Sequence, residues 1–137
     1  MLRVLIQKAN DSNSTVAANI TLCLGELTCI AGEDAQPHVP ELMVIIINKL
    51  SEPSLAKRDA ALRTLGHVCS STGYVIQPLV EYPQLLQVLS RILKTEPTQS
   101  VRREVIKVLG VLGALDPYRR KVTYSNMFIS LTLSRCD

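Results

Sequence analysis

The stretch that decides the fold is SVRREVIKVLGVLGALD, Ser100 to Asp116. Its apolar residues recur every three or four positions and form one stripe along an α-helix: Val101, Val105, Val108, Leu109 and Leu112. Pro97 precedes the stretch and Pro117 follows it. Proline is tolerated in the first turn of a helix and disfavours helix in the residue before it. The stretch therefore predicts an amphipathic helix that begins after Pro97 and ends by Asp116.

The same pattern occurs twice more, upstream of this stretch. Residues 54–71 align with it at an offset of 44, and a further copy lies another 41 residues back. The matched positions are Ile20, Leu24, Gly25 and Leu27, then Ala61, Leu65, Gly66 and Val68, then Val105, Leu109, Gly110 and Leu112. A period of this length is typical of a stacked array of helical repeats.

A second type of helix alternates with the first. Pro40 is followed by ELMVIIINKL and Pro83 by QLLQVLSRILK, and the two strings match at an offset of 43. Residues 1–9 match the end of this helix one repeat earlier, so the chain is expected to begin partway through a repeat. Each helical pair has an apolar face that it cannot bury alone, and stacking joins those faces into one core.

We therefore predict an all-α, right-handed α-α superhelix of about two and a half helical pairs. Repeats are expected over residues 1–122, with a partial repeat at 1–31, a second at 40–71 and a third at 83–115. Residues 123–137 break the pattern and are expected to form a non-repeat tail without a fixed structure. An incomplete array exposes apolar faces at its ends, so the isolated chain is expected to self-associate or melt readily.

Local signals refine this prediction. Helix is expected from about Thr15 to Ala31, followed by a loop at residues 32–38 in which Gly32 supplies a left-handed cap. Glycine inside a helix costs about 1 kcal/mol relative to alanine. Because Gly25, Gly66 and Gly110 occupy the same register in three repeats, we expect two helix backbones to approach closely there.

Composition excludes several classes of function. A chain of 137 residues with 47% apolar residues can form one ordinary core, and a formal net charge of +3 is well below that of a dedicated nucleic-acid binder. The longest apolar run, residues 42–47, is far shorter than the ~20 residues that span a bilayer. These features predict a soluble helical protein that does not bind nucleic acid.

Residues that could support catalysis or bind a metal are sparse. The four cysteines, which are Cys23, Cys29, Cys69 and Cys136, show no C-x-x-C pair and no histidine at zinc spacing, and we interpret them as reduced core or boundary residues. His38 and His67 have no nucleophile and carboxylate at motif spacing, which favours structural or solvent-facing roles. Phosphate-binding loops and kinase motifs are absent from the sequence. We predict a non-catalytic chain with no cofactor and no metal.

Seven basic residues are the candidate site: Arg58, Arg102, Arg103, Lys107, Arg119, Arg120 and Lys121. One interpretation is an internal ladder, in which Arg58 and Arg102 pair with carboxylates such as Glu52 or Glu96 across stacked repeats. The other is a basic patch that meets an acidic partner protein or a lipid headgroup.

The repeated element resembles the HEAT-repeat consensus, which has an acidic residue and proline in a turn, then a small residue with arginine, then Leu-Gly. Here these are Glu96-Pro97, Val101-Arg102 and Leu109-Gly110, and the second copy has Glu52-Pro53 and Leu65-Gly66. The first copy departs from the consensus, with Ser12 for the proline and Ala17 for the arginine.

A more specific resemblance extends from Leu62 to Val122. The strings STGYVIQP, YPQLLQVLSRILKTE, RREVIKVLGVLGALDPY and RRKV together are similar to the N-terminal HEAT solenoid of the target-of-rapamycin kinases, and LGELTCIAGED extends the likeness back to about residue 22. The resemblance implies a HEAT/armadillo-like scaffold segment of a cytoplasmic serine/threonine kinase that controls growth in response to nutrients. It implies protein partners, namely subunits of the kinase complex and flanking HEAT repeats, with membrane or nuclear association only through that complex.

Two alternatives stay open at this point. The chain could be a HEAT segment of an unrelated scaffold, such as a nuclear transport receptor or a phosphatase scaffold subunit. It could also be a small helical enzyme, which would require an apolar pocket with a strongly perturbed acid or base.

Overall fold

The computed structural model of the chain describes residues 2–72 and 77–112. These residues form seven α-helices and one 3₁₀ helix, and no strand occurs among them. The result confirms the predicted all-α fold. The chain divides into two compact units, residues 1–74 and residues 75–137. The predicted tail at 123–137 lies outside the described residues.

The first unit contains four α-helices. They are α1 (Leu2–Lys8), α2 (Ser14–Ala31), α3 (Val39–Leu50) and α4 (Leu55–Thr72), with a 3₁₀ helix at Gly32–His38 between α2 and α3. Helix α4 packs against both α2 and α3, and α1 packs against α2 and α3. Four of the residues matched between repeats are fully buried in this core, namely Leu24, Ala61, Leu65 and Val68, and Ile20, Leu27 and Gly66 are half-buried.

The ends of α2 and the start of α3 follow from local chemistry. The side-chain oxygen of Asn13 accepts hydrogen bonds from the backbone N–H groups of Thr15 and Val16, at 3.0 and 3.3 Å, and so caps α2. Gly32 ends α2 with a positive φ of 56°, as expected, and its N–H donates to the Thr28 carbonyl. Pro40 lies in the first turn of α3, where its missing N–H leaves no intrahelical acceptor unpaired.

The segment between α2 and α3 differs from the prediction. Residues 32–38 form a 3₁₀ helix rather than a loop, with Pro37 inside it and Ala35 buried. It contacts α2, α3 and α4, and Gln36 donates to the Thr72 carbonyl at the end of α4, at 3.1 Å. Packing against three helices orders this connection, which the turn residues alone do not predict.

By length and composition, the stretch from Ser14 to Leu50 would pass as a membrane-spanning segment. In the structure this stretch is not one continuous α-helix, because the 3₁₀ helix separates α2 from α3. Both helices contribute buried residues to the core of the first unit, among them Leu24, Met43 and Ile46. Core helices pass the same composition test, so the stretch is weak support for a membrane span.

In the second unit the structure describes three helices. They are α5 (Gln77–Glu81), α6 (Gln84–Thr95) and α7 (Gln99–Val111); α6 packs against α5 and α7. Helix α7 buries the predicted stripe of Val101, Val105, Val108 and Leu109. It ends at Val111, because Leu112 has an extended backbone, and so it stops short of the expected limit at Asp116; residues 113–116 are outside the described range.

The repeated glycines do not share one explanation. A Cβ atom on Gly25 would lie 3.2 Å from the backbone Cα of Thr64 and 3.3 Å from the His67 ring, so α2 and α4 do approach closely there. Around Gly110, apart from the adjoining residues of α7 itself, no atom of the described residues lies within 4 Å of such a Cβ. The predicted close approach is therefore confirmed at Gly25. At Gly110 it stays a prediction, because no described helix lies against this glycine and residues 113–137 are outside the described range.

Candidate protein-interaction surface

Helix α7 carries four of its residues on the side opposite the buried stripe, and we call them the α7 basic face: Arg102, Arg103, Ile106 and Lys107. The two arginines and Lys107 are exposed, and Ile106 is 55% exposed. Lys107 pairs with Glu104 at 3.0 Å within the same helix. An arginine-rich face around an exposed apolar residue has the composition of a protein-binding surface, because arginine is enriched in interfaces.

Arg58 is placed differently from the arginines of α7. It is half-buried in the first turn of α4, and its Nη1 donates to the backbone carbonyls of Glu52 and Pro53, each at 3.3 Å. The Glu52 carboxylate pairs with Lys57 at 2.6 Å. Arg58 thus stabilises the turn between α3 and α4 in its own repeat. The ladder across repeats stays a prediction, and Arg119, Arg120 and Lys121 lie outside the described residues.

Lys49 is a buried cation that the sequence reading did not single out. It is 1% exposed, and its Nζ donates to the backbone carbonyl of Ala9 at 2.5 Å. This bond joins the last turn of α3 to the residue that follows α1. Burial lowers the pKa of the Lys49 ammonium, Glu52 acts to raise it and Lys57 acts to lower it. The sequence signal that could have pointed to Lys49 is its alignment with Lys8, because the two lysines lie near the end of the same helix type in successive repeats.

The described residues of the two units differ in what their charged groups contact. The α7 basic face is exposed to solvent, and the buried Lys49 donates to a backbone carbonyl. Among residues 2–72 and 77–112, no group of three or more His, Cys, Asp or Glu side chains is arranged to hold a metal ion.

Comparison with known proteins gives one consistent family. Residues 75–133 match the family described as serine/threonine-protein kinase mTOR domain. The chain is 44% identical over 88% of its length to serine/threonine-protein kinase TOR2 of Saccharomyces cerevisiae, covering 5% of that protein. It is 42% identical over 81% of its length to serine/threonine-protein kinase TOR of Arabidopsis thaliana, covering 4% of it, and 38% identical over 98% of its length to the target of rapamycin homolog of Caenorhabditis elegans, covering 5%.

Proposed function

Because the chain belongs to the target-of-rapamycin kinase family, we propose that it is a non-catalytic HEAT-repeat scaffold segment through which such a kinase contacts other proteins. The observation that carries the proposal is the similarity over most of the chain to kinases of which it spans only 4–5%. Such a short segment contributes to the function of the kinase through the surfaces that it presents to other proteins.

The fold of each unit supports a structural role. In the first unit, helices of equivalent repeat position, α2 and α4, pack directly on one another, which is the contact that a helical array needs in order to extend. In the second unit, α7 turns its apolar stripe inward and leaves the α7 basic face to solvent. Partners are therefore proposed to be acidic surfaces of other subunits in a nutrient-responsive kinase complex.

The other scaffolds considered above are less favoured. The relatives described here are target-of-rapamycin kinases from yeast, plant and worm, and none of these three is a transport receptor or a phosphatase scaffold. Within the family proposal, the segment works in the cytoplasm, and the parent complex brings it to endomembranes or the nucleus.

A binding experiment with charge-reversed variants tests the proposal. The chain is immobilised and exposed to purified subunits of a target-of-rapamycin complex, one at a time. The variant Arg102→Glu/Arg103→Glu alters the α7 basic face. Its matched control, Arg91→Glu/Lys94→Glu, makes the same change in net charge at two exposed residues of α6. We expect the α7 variant alone to lose about tenfold or more in affinity for one subunit.

Each other outcome has a definite meaning. Equal losses in both variants would show attraction to net charge instead of a defined surface. If neither variant weakens a bound subunit, the partner uses another face. If the unaltered chain binds no subunit at all, the scaffold proposal is wrong. The residues beyond the described range are tested separately, by binding of an Arg119/Arg120/Lys121 triple alanine variant to acidic liposomes and to RNA.

A further inference from the structure

The packing of α2 against α4 brings together a cysteine, a histidine and a glutamate at the surface of the first unit. Cys29 Sγ lies 2.9 Å from Nδ1 of His67, and Nε2 of the same ring lies 3.6 Å from Oε1 of Glu26. The hydroxyl of Ser71 donates to the Cys29 sulfur at 3.3 Å. Cys29 is an exposed residue, so small molecules in solution can approach it.

The contact between Cys29 and His67 matches the arrangement of a thiol nucleophile beside its base. The Glu26 carboxylate lies near the other ring nitrogen, at ion-pair distance. Nδ1 is the ring nitrogen within hydrogen-bond distance of the Cys29 sulfur, so it is the one that can take the thiol proton. Proton transfer gives an imidazolium beside the thiolate, with the Glu26 carboxylate 3.6 Å from its other nitrogen. The Ser71 hydroxyl donates a hydrogen bond to the same sulfur.

We propose that Cys29 is a reactive thiol that undergoes S-thiolation by low-molecular-weight disulfides. In this exchange His67 takes the proton of Cys29, and the thiolate attacks one sulfur of the disulfide. A new S–S bond forms to Cys29, the S–S bond of the reagent breaks, and the released thiolate takes the proton from His67. The protein sulfur is oxidised and one half of the reagent is reduced to a thiol. The site is independent of the α7 basic face.

Two other cysteines of the chain serve as internal references. Cys23 is exposed on the same helix, and its sulfur makes no hydrogen bond to any described residue. Cys69 is fully buried in α4, and this burial raises the pKa of its thiol to about 12, so it should remain unreactive in the folded chain. Reaction at Cys69 therefore reports loss of the fold, and reaction at Cys23 reports simple exposure.

The test is a rate measurement on the whole chain at neutral pH. The reduced protein is treated with 2-hydroxyethyl disulfide, a neutral reagent that removes charge attraction from the comparison. Samples are quenched at intervals, and peptide mass spectrometry measures the modified fraction at each cysteine. We expect Cys29 to react several-fold faster than Cys23, and Cys69 to stay unmodified.

The variant His67→Gln removes the base and keeps a polar side chain of similar reach. It should bring the rate at Cys29 down to that of Cys23 while the rate at Cys23 and the protection of Cys69 stay unchanged. Ser71→Ala should cause a smaller decrease, because it removes one donor and leaves the base. Equal rates at Cys29 and Cys23 in the unaltered chain would overturn the proposal, as would a fast Cys29 in a folded His67→Gln variant. If Cys69 reacts in the His67→Gln variant, that variant has lost its fold and Ser71→Ala becomes the deciding test. In that case, a rate at Cys29 in Ser71→Ala as high as in the unaltered chain counts against the proposal.

Discussion

Replacement of Gly25 by alanine tests the contact between α2 and α4 directly. The new Cβ would meet three atoms at 3.2–3.3 Å: the Cα and Oγ1 of Thr64 and the Cδ2 of His67. Favourable contacts between carbon atoms lie at about 3.5–4.0 Å, so α4 must move away by a few tenths of an ångström. A side chain could rotate aside, but the Cα atom of Thr64 can move only with its helix.

Two opposed effects set the size of the change. Alanine is about 1 kcal/mol more favourable than glycine inside a helix. Overpacking a core contact typically costs about 1–3 kcal/mol. We therefore expect Gly25→Ala to lower the free energy of unfolding by about 1 kcal/mol, although helix propensity alone would raise it.

Gly110→Ala is the matched control, because it places the same methyl group on a helical glycine that has no described atom within 4 Å outside the adjoining residues of its own helix. It should raise the free energy of unfolding by about 0.5 kcal/mol, less than the full propensity gain because Gly110 lies next to the end of α7. Urea unfolding followed by circular dichroism measures both variants, and hydrogen exchange of amides in α2 and α7 reports each unit separately. If Gly25→Ala is as stabilising as Gly110→Ala, the close approach of α2 and α4 is wrong.

Two further predictions concern buried polar groups of the first unit. Burial lowers the pKa of Lys49 in the folded chain below its ordinary value of 10.5. Between these two pKa values the lysine holds its proton in the unfolded chain and has lost it in the folded one. The free energy of unfolding should therefore rise with pH across this window. Lys49→Met should remove this rise, seen as a pH-dependent difference between the two proteins in urea unfolding; parallel curves would contradict it. The Thr64 hydroxyl lies 2.8 Å from the carbonyls of both Thr21 and Ala60, so Thr64→Val should cost about 0.5–1.5 kcal/mol. Thr95→Val, at an exposed hydroxyl that bonds only within its own helix, should cost much less, and equal costs would show that the bond to α2 contributes nothing.

The helices were predictable because their signals are local. Proline, the Asn13 turn and the apolar period place α2, α3, α4, α6 and the start of α7 within one or two residues of where the structure has them. The segment at 32–38 was not predictable in this way. Its short-range signals, Gly32 and Pro37, indicate a break, and only contacts with three other helices make that break a 3₁₀ helix.

The cluster at Cys29 was within reach of the sequence but was missed. Glu26 and His67 are 41 residues apart, which is the repeat offset, so the register places them at equivalent positions of neighbouring repeats. Motif searches look for nucleophile, base and carboxylate at fixed spacings within one segment. A site formed between two repeats has the period of the array as its spacing, and a search for short motifs does not detect it.

The sequence by itself determined the all-α class, the positions of the helices and the family, because periodicity and turn residues act over a few neighbours and the matched strings are specific. Only the tertiary structure decided which repeated residues serve the same purpose. Gly25 faces the backbone of another helix, and no other described helix lies against Gly110. Lys49 is buried, where a lysine would ordinarily be solvated. Residues of the same type at matching positions of successive repeats meet different neighbours, and what each side chain contributes to stability depends on those neighbours.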